Sequence, residues 1–377
     1  MTRPALLAPI RANEFARQWQ EIRDDALAAV DRVGRSGWLI LGEEVRAFEA
    51  DLADFWGLEQ AVGVASGLDA IEIGLRAAGV REGVRVLTTP LTAFATTLAV
   101  VRAGAEPVWC DVDPSGGLDL DRADAALRAD RSIRAILPVH LYGHPLDGSE
   151  LRRLAEQHES IVIEDCAQSV GAERDDRPTG WAGAAAATSL YPTKNLGAMG
   201  DAGVLLTNDL ALADRARRLR DYGQERRYEH VELGLNSRLD ELQAAVLRSA
   251  LLPRLAGWLE RRREIASSYA AGLEGCSLRP IKPRGGHSAH HLYPVEAIND
   301  DADAILARLA ERGIEVGRHY PHLCPDQPAV AGIGQRLDQM SLARRLAKRE
   351  LSLPIHPHME DVEVDRVIEA CLECAAE

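Results

Sequence analysis

Thr188-Ser189-Leu190-Tyr191-Pro192-Thr193-Lys194-Asn195-Leu196-Gly197 begins as an apolar strand and breaks off, through a proline, into a lysine followed by glycine. Just upstream, Ile161-Val162-Ile163-Glu164-Asp165-Cys166-Ala167-Gln168 does the same and ends in carboxylates. Short, near-continuously apolar strands that stop abruptly at polar residues belong to parallel sheets covered on both faces, and ligands of such sheets bind at the carboxyl ends of the strands.

The same pattern extends on both sides of these stretches. Further strands are read at Ala61–Ala65, Val84–Thr88, Glu106–Cys110, Ile133–Val139 and Gly203–Thr207, beside Ser160–Ile163 and Ala184–Leu190. Amphipathic helices fall between them at Leu68–Ala78, Ala95–Ala103, Asp121–Arg128 and Gly148–His158. Helical periodicity then runs from Arg238 to about Leu273. Beyond Pro280 the chain carries a Pro/Gly cluster, a strand at His290–Ala297, and helices at Asp301–Arg312 and Leu342–Glu350. The expected class is α/β: a large domain over residues 1–254 with a mostly parallel, seven-stranded sheet between helices, and a smaller C-terminal α+β domain over residues 255–377.

The 377 residues suffice for two such domains, and 46% hydrophobic with 27% charged residues excludes intrinsic disorder. A net charge of −14 argues against nucleic acid and anionic membrane as partners. Six scattered cysteines, no leader-like segment in residues 1–20 and no long apolar run give the expectation of a cytoplasmic protein with reduced thiols and no metal. Cys371 and Cys374 form a lone C-x-x-C, read as part of a helical tail.

Only three of the 44 basic residues are lysines: Lys194, Lys282 and Lys348. Arginine replaces lysine for surface charge but not where a primary amine reacts, because guanidinium stays protonated. Lys194 alone stands in a chemical context. Gly197, Gly200 and Gly203 follow it, and such a small-residue loop suits a flat cofactor joined to the amine as a Schiff base. No Walker or G-x-G-x-x-G phosphate pattern is found. Instead, Ser66-Gly67-Leu68-Asp69-Ala70 places a glycine turn and a helix start after a strand, which is a phosphate-binding arrangement. Asp165 at a buried strand end needs a cationic partner. Glu164 and Asp165 point to opposite faces of their strand, so one of the two faces the site. A strand-end Asp for a pyridinium, Ser189 for a phosphate and Lys194 for an aldehyde together describe a pyridoxal phosphate (PLP) site.

The chain resembles the sugar aminotransferases of the DegT–StrS type, within the aspartate-aminotransferase-like fold. The resemblance runs from about Ser36 to Pro357. It is carried by Gly42-Glu43-Glu44-Val45-Arg46-Ala47-Phe48-Glu49, Ser66–Ala70, Pro138-Val139-His140-Leu141-Tyr142-Gly143, Glu164–Gln168, Tyr191–Gly197, Gly234-Leu235-Asn236-Ser237-Arg238-Leu239-Asp240, His319-Tyr320-Pro321 and Leu351-Ser352-Leu353-Pro354.

This resemblance implies a ping-pong transamination. Lys194 would form the internal aldimine and shuttle protons, Asp165 would pair with the pyridine nitrogen, and Gln168 would sit near the cofactor's 3′ oxygen. Ser189 with the backbone of Gly67 and Leu68 would hold the phosphate. Asn236 would reach the phosphate of a second subunit, making the protein a homodimer with shared active sites. Tyr222, His319 and Tyr320 would lie near the substrate, and Arg226, Arg227, Arg238 and Arg318 would be available to anionic groups. The implied reaction moves an amino group from glutamate or glutamine to a keto sugar, nucleotide-linked or free, or to a cyclitol. Two positions depart from the family pattern: Leu68 where threonine is usual, and Ala93 where an aromatic residue is usual. Phe94, one residue later, reads as core. The alternatives are a dehydratase on the same scaffold, whose relatives replace the lysine, and a non-catalytic regulatory protein on this fold.

Overall fold

The computed structural model describes residues 8–298 and 301–376. Residues 1–7, part of the segment read for a leader, lie outside the described residues. The seven expected strands are all present: β1 (Gln60–Val64), β2 (Arg85–Thr88), β3 (Glu106–Trp109), β4 (Ile133–Leu137), β5 (Ile161–Asp165), β6 (Ala185–Ser189) and β7 (Gly203–Thr207). C-terminal to them lie β8 (Leu278–Pro280), β9 (Tyr293–Ala297), β10 (Gln335–Arg336) and β11 (Glu350–Leu353). The large sheet runs β1-β7-β6-β5-β4-β2-β3-β10. Its eighth strand, β10, is two residues long and pairs with β3 from the distant C-terminal part of the chain. Two polar residues have no strand periodicity, so nothing in the sequence announces them.

All strands are parallel except β7, which is antiparallel to both β1 and β6. This reversal brings the first residue of β7, Gly203, beside the last residues of its neighbours: it pairs with Val64 and with Ser189.

The helices of this part are α1 (Phe15–Ser36), α2 (Glu43–Trp56), α3 (Gly67–Ala77), α4 (Phe94–Arg102), α5 (Leu120–Ala129), α6 (Gly148–His158) and α7 (Leu210–Leu219). Both faces of the sheet are covered, which explains its continuous apolar strands. Along β7, Leu205 enters a core with α3, α4 and α7, while Val204 and Leu206 enter a second core with α1 and α2. Asp147 caps α6 by accepting from the Glu150 N–H, and Ser66 caps α3 by accepting from the Asp69 N–H.

The long helical stretch from Arg238 is interrupted. A helix α8 (Glu241–Val246) passes through a wide turn at Leu247–Leu251 and a tight one at Leu252–Arg254 before α9 (Leu255–Gly272). Pro253 sits at the break, where it lacks the N–H that a continuous helix requires. A further core is built from α9, α10 (Ala302–Glu311), α12 (Asp361–Ala376) and the sheet β8-β9-β11. The N-terminal Ile10 joins it by pairing with Ile314. Helix α11 (Ser341–Arg349) leads directly into β11. Among the described residues no helix is long and apolar enough to cross a membrane.

Candidate active site

The site residues gather where the carboxyl ends of β1, β5 and β6 meet the start of β7. Asp165 is the last residue of β5 and is 4% exposed. Its Oδ2 accepts from the Thr96 hydroxyl at 2.8 Å, its Oδ1 accepts from the Ala167 N–H at 3.1 Å, and Thr92 lies 2.9 Å from Thr96 Oγ1. Among the described residues it makes no salt bridge. Burial pushes its carboxyl above the ordinary value, opposed by the two hydrogen bonds and by the charge of Lys194.

Glu164, as the alternation requires, faces the other way. Its carboxylate accepts from the N–H groups of Gly180, Ala182 and Gly183 at 2.8–3.0 Å and lies 2.8 Å from His140 Nε2. His140 Nδ1 accepts from the Leu146 N–H at 3.1 Å, so Nε2 carries the proton and donates to Glu164. Cys166 stands close by as a third metal-capable side chain. The hydrogen bonds already employ both Glu164 oxygens and both His140 nitrogens, so this cluster ties strand β5 to its surroundings.

Lys194 lies in the tight loop after β6 and is partly buried. Burial pushes its amine down to about 8, against the pull of the Asp165 charge. The small residues of this loop pack closely. A Cβ added at Gly197 would stand 2.2 Å from the Pro192 carbonyl oxygen, and one added at Gly203 would stand 2.3 Å from the Ser66 carbonyl carbon. A Cβ at Gly67 would stand 2.5 Å from Ser189 Cβ. The start of α3, with its free N–H groups, is thereby brought against Ser189.

Gln168 is buried. Its Oε1 accepts from the Tyr142 N–H at 2.5 Å and its Nε2 donates to the Tyr320 hydroxyl at 3.2 Å. The Tyr142 hydroxyl in turn donates to the His319 carbonyl at 2.9 Å. Tyr142 holds a left-handed backbone, φ 63°, to make both bonds. Tyr320 and His319 are thus tied to the strand ends, and Lys194 acts electrostatically on His319, whose imidazole is pushed down to about 4 mainly by burial.

The remaining expected residues sit apart. Tyr222 is 46% exposed with φ 59°, and Arg238 lies over its ring while pairing with Asp221 at 2.9 Å. Arg226 and Arg227 are exposed on the hairpin Gln224–Arg226/Glu229–His230. Asn236 is exposed beside Ser237, whose hydroxyl donates to Asp69 at 2.8 Å and accepts from the Ala65 N–H at 3.1 Å. Arg318 is not available to a substrate anion: its guanidinium binds Asp303 and the Ala347 carbonyl. Phe94 packs on the core around Leu91 and Trp109, while Ala93 caps α4 without a side-chain hydrogen bond.

Sequence reasoning missed Thr96 and Thr92, which no motif marks, and Glu350, and it gave no role to Ser352 within Leu351–Pro354, since both meet His319 only through folding. Ser237 stood inside a quoted motif, but only its contacts with Asp69 and Ala65 give it a role.

The residues present fit pyridoxal phosphate. A buried carboxylate without a cation suits a protonated pyridine nitrogen, the glycine-lined turn at Ser189 leaves N–H groups for a phosphate, and a lysine with a lowered pKa suits an aldehyde.

A family model described as the DegT/DnrJ/EryC1/StrS aminotransferase family matches residues 20–372. The chain is 41% identical over 364 residues to the dTDP-3-amino-3,4,6-trideoxy-alpha-D-glucose transaminase of Streptomyces venezuelae, covering 95% of this chain and 94% of that one. It is 38% identical over 364 residues to the pleiotropic regulatory protein of Geobacillus stearothermophilus, covering 96% and 97%. The crystal structure of S. venezuelae DesV in complex with a ketimine intermediate superposes with a TM-score of 0.93 at 39% identity, covering 98% of this chain and 99% of that one.

Proposed function

The chain belongs to the DegT/DnrJ/EryC1/StrS aminotransferase family, and from that premise we propose that it is a PLP-dependent transaminase whose amino acceptor is a keto sugar carried on a nucleotide. The observation that carries this reading is a buried Asp165, with no salt bridge among the described residues, close enough to Lys194 for their charges to act on each other, beside a glycine-lined turn. When bound, the cofactor supplies an aldehyde and an electron-withdrawing ring, through which an amino group is taken from one substrate and given to the next. Asp165 would hold the pyridine nitrogen in its protonated form, with Thr96 and the Ala167 N–H holding the carboxylate in place. The N–H groups of Gly67 and Leu68, with the Ser189 hydroxyl, would hold the phosphate. Lys194 Nζ takes the proton from the amino-bearing carbon of the substrate, and its lowered pKa leaves a useful fraction unprotonated near neutral pH.

The amino donor is glutamate or glutamine. Arg226 and Arg227, which make no ion pair among the described residues, meet the nucleotide's phosphates. Gln168 and Tyr320 line the ring and His319 the substrate. Asn236 reaches the phosphate in the site of a second copy and Tyr222 lies near the substrate, so the protein works as a homodimer. Trp38, Leu39, Val231 and Leu233, all exposed apolar residues, supply surface for that association. None of the six cysteines forms a disulfide, which accords with a cytoplasmic location. The dehydratase alternative expects the lysine to be replaced, and here it is present.

The test is a visible absorption spectrum with added PLP, before and after glutamate, for the wild type, Lys194→Ala and Lys194→Arg. The expected result is a cofactor band that glutamate bleaches in the wild type and that neither variant forms. A band of full intensity in Lys194→Ala would overturn the assignment, and a wild type without any band would bring the non-catalytic reading forward.

A further inference from the structure

A line of three side chains from the C-terminal part of the chain ends beside Lys194, and the reaction proposed above leaves two of them unused. Glu350 and Ser352 are alternate residues of β11, so their side chains project from the same face. The segment carrying His319 runs alongside, with Gly317 and Ser352 exchanging backbone hydrogen bonds of 3.1 and 2.9 Å. The His319 N–H donates to Glu350 Oε2 at 2.7 Å, and the Ser352 hydroxyl donates to Glu350 Oε1. His319 Nδ1 lies 2.9 Å from Ser352 Oγ.

With Glu350 ionised, the donor inventory fixes the direction of this chain. A serine hydroxyl has one hydrogen. With that hydrogen given to the carboxylate, Ser352 Oγ can only accept from Nδ1. The ring proton of the neutral imidazole therefore sits on Nδ1, and Nε2 is left as a bare acceptor. Among the described residues no protein donor meets Nε2. The ring lines a cavity of about 230 Å³ shared with Asn13, His291, Ser352 and Thr193, the residue that precedes Lys194, and it feels the Lys194 charge. Its other side rests on bare backbone, since a Cβ at Gly317 would stand 2.7 Å from His319 Cε1. Glu350 and Ser352 are 1% and 3% exposed, so little water reaches the bond between them.

We propose that Glu350, acting through Ser352, is a positioning residue that locks His319 in its Nδ1-protonated form, so that Nε2 accepts a hydrogen bond from an N–H or O–H group of the substrate beside Lys194. The tautomer follows from the hydrogen bonds alone; the identity of the substrate rests on the aminotransferase reading. The donor group has two sources, the amine of the donor amino acid or a hydroxyl of the sugar.

The tautomer is read from two-bond proton–nitrogen spectra of the full-length protein labelled at its histidine ring nitrogens, with the His319 signal identified by its loss in His319→Gln. Burial lifts the Glu350 carboxyl to about 7, so spectra are taken well above that pH. The expected wild-type pattern is Nδ1–H. Ser352→Ala and Glu350→Gln shift it to Nε2–H or to a mixture, and Ser352→Thr, which keeps the hydroxyl, preserves it. A wild-type Nε2–H pattern, or variants that leave the pattern unchanged, overturn the relay.

The second readout is the rate at which two amines bleach the cofactor band: glutamate, and dTDP-3-amino-3,4,6-trideoxy-alpha-D-glucose, the amine for which the S. venezuelae relative is named. Ser352→Ala is expected to slow one of them roughly 3- to 10-fold, the loss that one hydrogen bond of ordinary strength carries. Slowing of glutamate alone assigns Nε2 to the amino acid; slowing of the sugar alone assigns it to the sugar. An unchanged rate with both overturns the substrate contact while the tautomer result stands. If the wild type forms no band, the aminotransferase reading fails and the spectra still judge the relay.

Discussion

Replacing Gly67 with alanine tests whether the turn at the start of α3 is a phosphate cradle. The added Cβ would lie 2.5 Å from Ser189 Cβ and 2.9 Å from its Cα, well inside the ~3.5–4.0 Å of ordinary carbon contact. Gly67 sits in helical backbone, so alanine brings no backbone strain, and its helix preference offsets at most about 1 kcal/mol. The overlap itself costs about 1–3 kcal/mol. Ser189 cannot give way, because its backbone is paired with Gly203 in the middle of the sheet. The first turn of α3 must move instead, which takes the Gly67 and Leu68 N–H groups out of line with the Ser189 hydroxyl. A hydrogen bond to a charged group contributes about 1.5–3 kcal/mol, so losing one raises the PLP dissociation constant roughly 10- to 100-fold. The assay is an absorption titration with PLP and, in parallel, with pyridoxal, which has no phosphate. The expected result is weakened PLP binding with pyridoxal binding unchanged. Equal weakening of both would mean that the substitution disturbs Lys194, and an unchanged PLP affinity would refute the cradle.

Four further outcomes follow from the site and its supports. The rate of PLP attachment rises with pH through a midpoint near 8, the value to which burial lowers Lys194 from 10.5, and Asp165→Asn moves the midpoint lower by removing the charge that holds the ammonium; a midpoint at 10.5 contradicts the buried amine. Because the unfolded chain binds more protons than the native one between those two values, Lys194 also makes the cofactor-free protein more stable as pH rises across that window, as denaturant titrations can check. Glu164→Gln replaces an acceptor of three N–H groups by a side chain that is half donor, and is expected to cost about 1–3 kcal/mol in denaturant unfolding without altering PLP affinity. Arg262 is 3% exposed, donates to the carbonyls of His290, His291 and Ile355, and has no carboxylate partner among the described residues; Arg262→Leu leaves these carbonyls bare and is expected to cost several kcal/mol, read the same way.

The parts of the site that were legible in the sequence are those whose meaning lies within one strand and its turn. Asp165 and Glu164 are neighbours, and alternation along a strand suffices to send them to opposite faces. Lys194 stands out because the chain has so few lysines. Interactions across long separations left no trace. Thr96 reaches Asp165 over 69 residues and Tyr142 reaches His319 over 177, and neither donor belongs to a pattern that spacing can reveal. The arginines failed for the opposite reason. They are numerous, and their use is set by what folding places nearby: Arg318 is taken up by Asp303, while Arg226 is exposed on a hairpin and makes no ion pair among the described residues.

The reversed strand β7 shows how topology can supply what no motif encodes. In a sheet parallel throughout, the neighbour of Val64 and Ser189 at the site would be the end of another strand, followed by its own outgoing turn. Because β7 runs backward, its opening residue occupies that place, and the residue is a glycine. A side chain there would run into the Ser66 carbonyl at 2.3 Å and the Gly67 nitrogen at 2.6 Å. The absence of a Cβ at Gly203 therefore lets β1 and β6 bring the Ser66–Leu68 turn and Ser189 onto one small patch of backbone. Read in sequence, Gly203 is one of several glycines after the lysine. Its importance comes from strand direction, which composition and periodicity do not record.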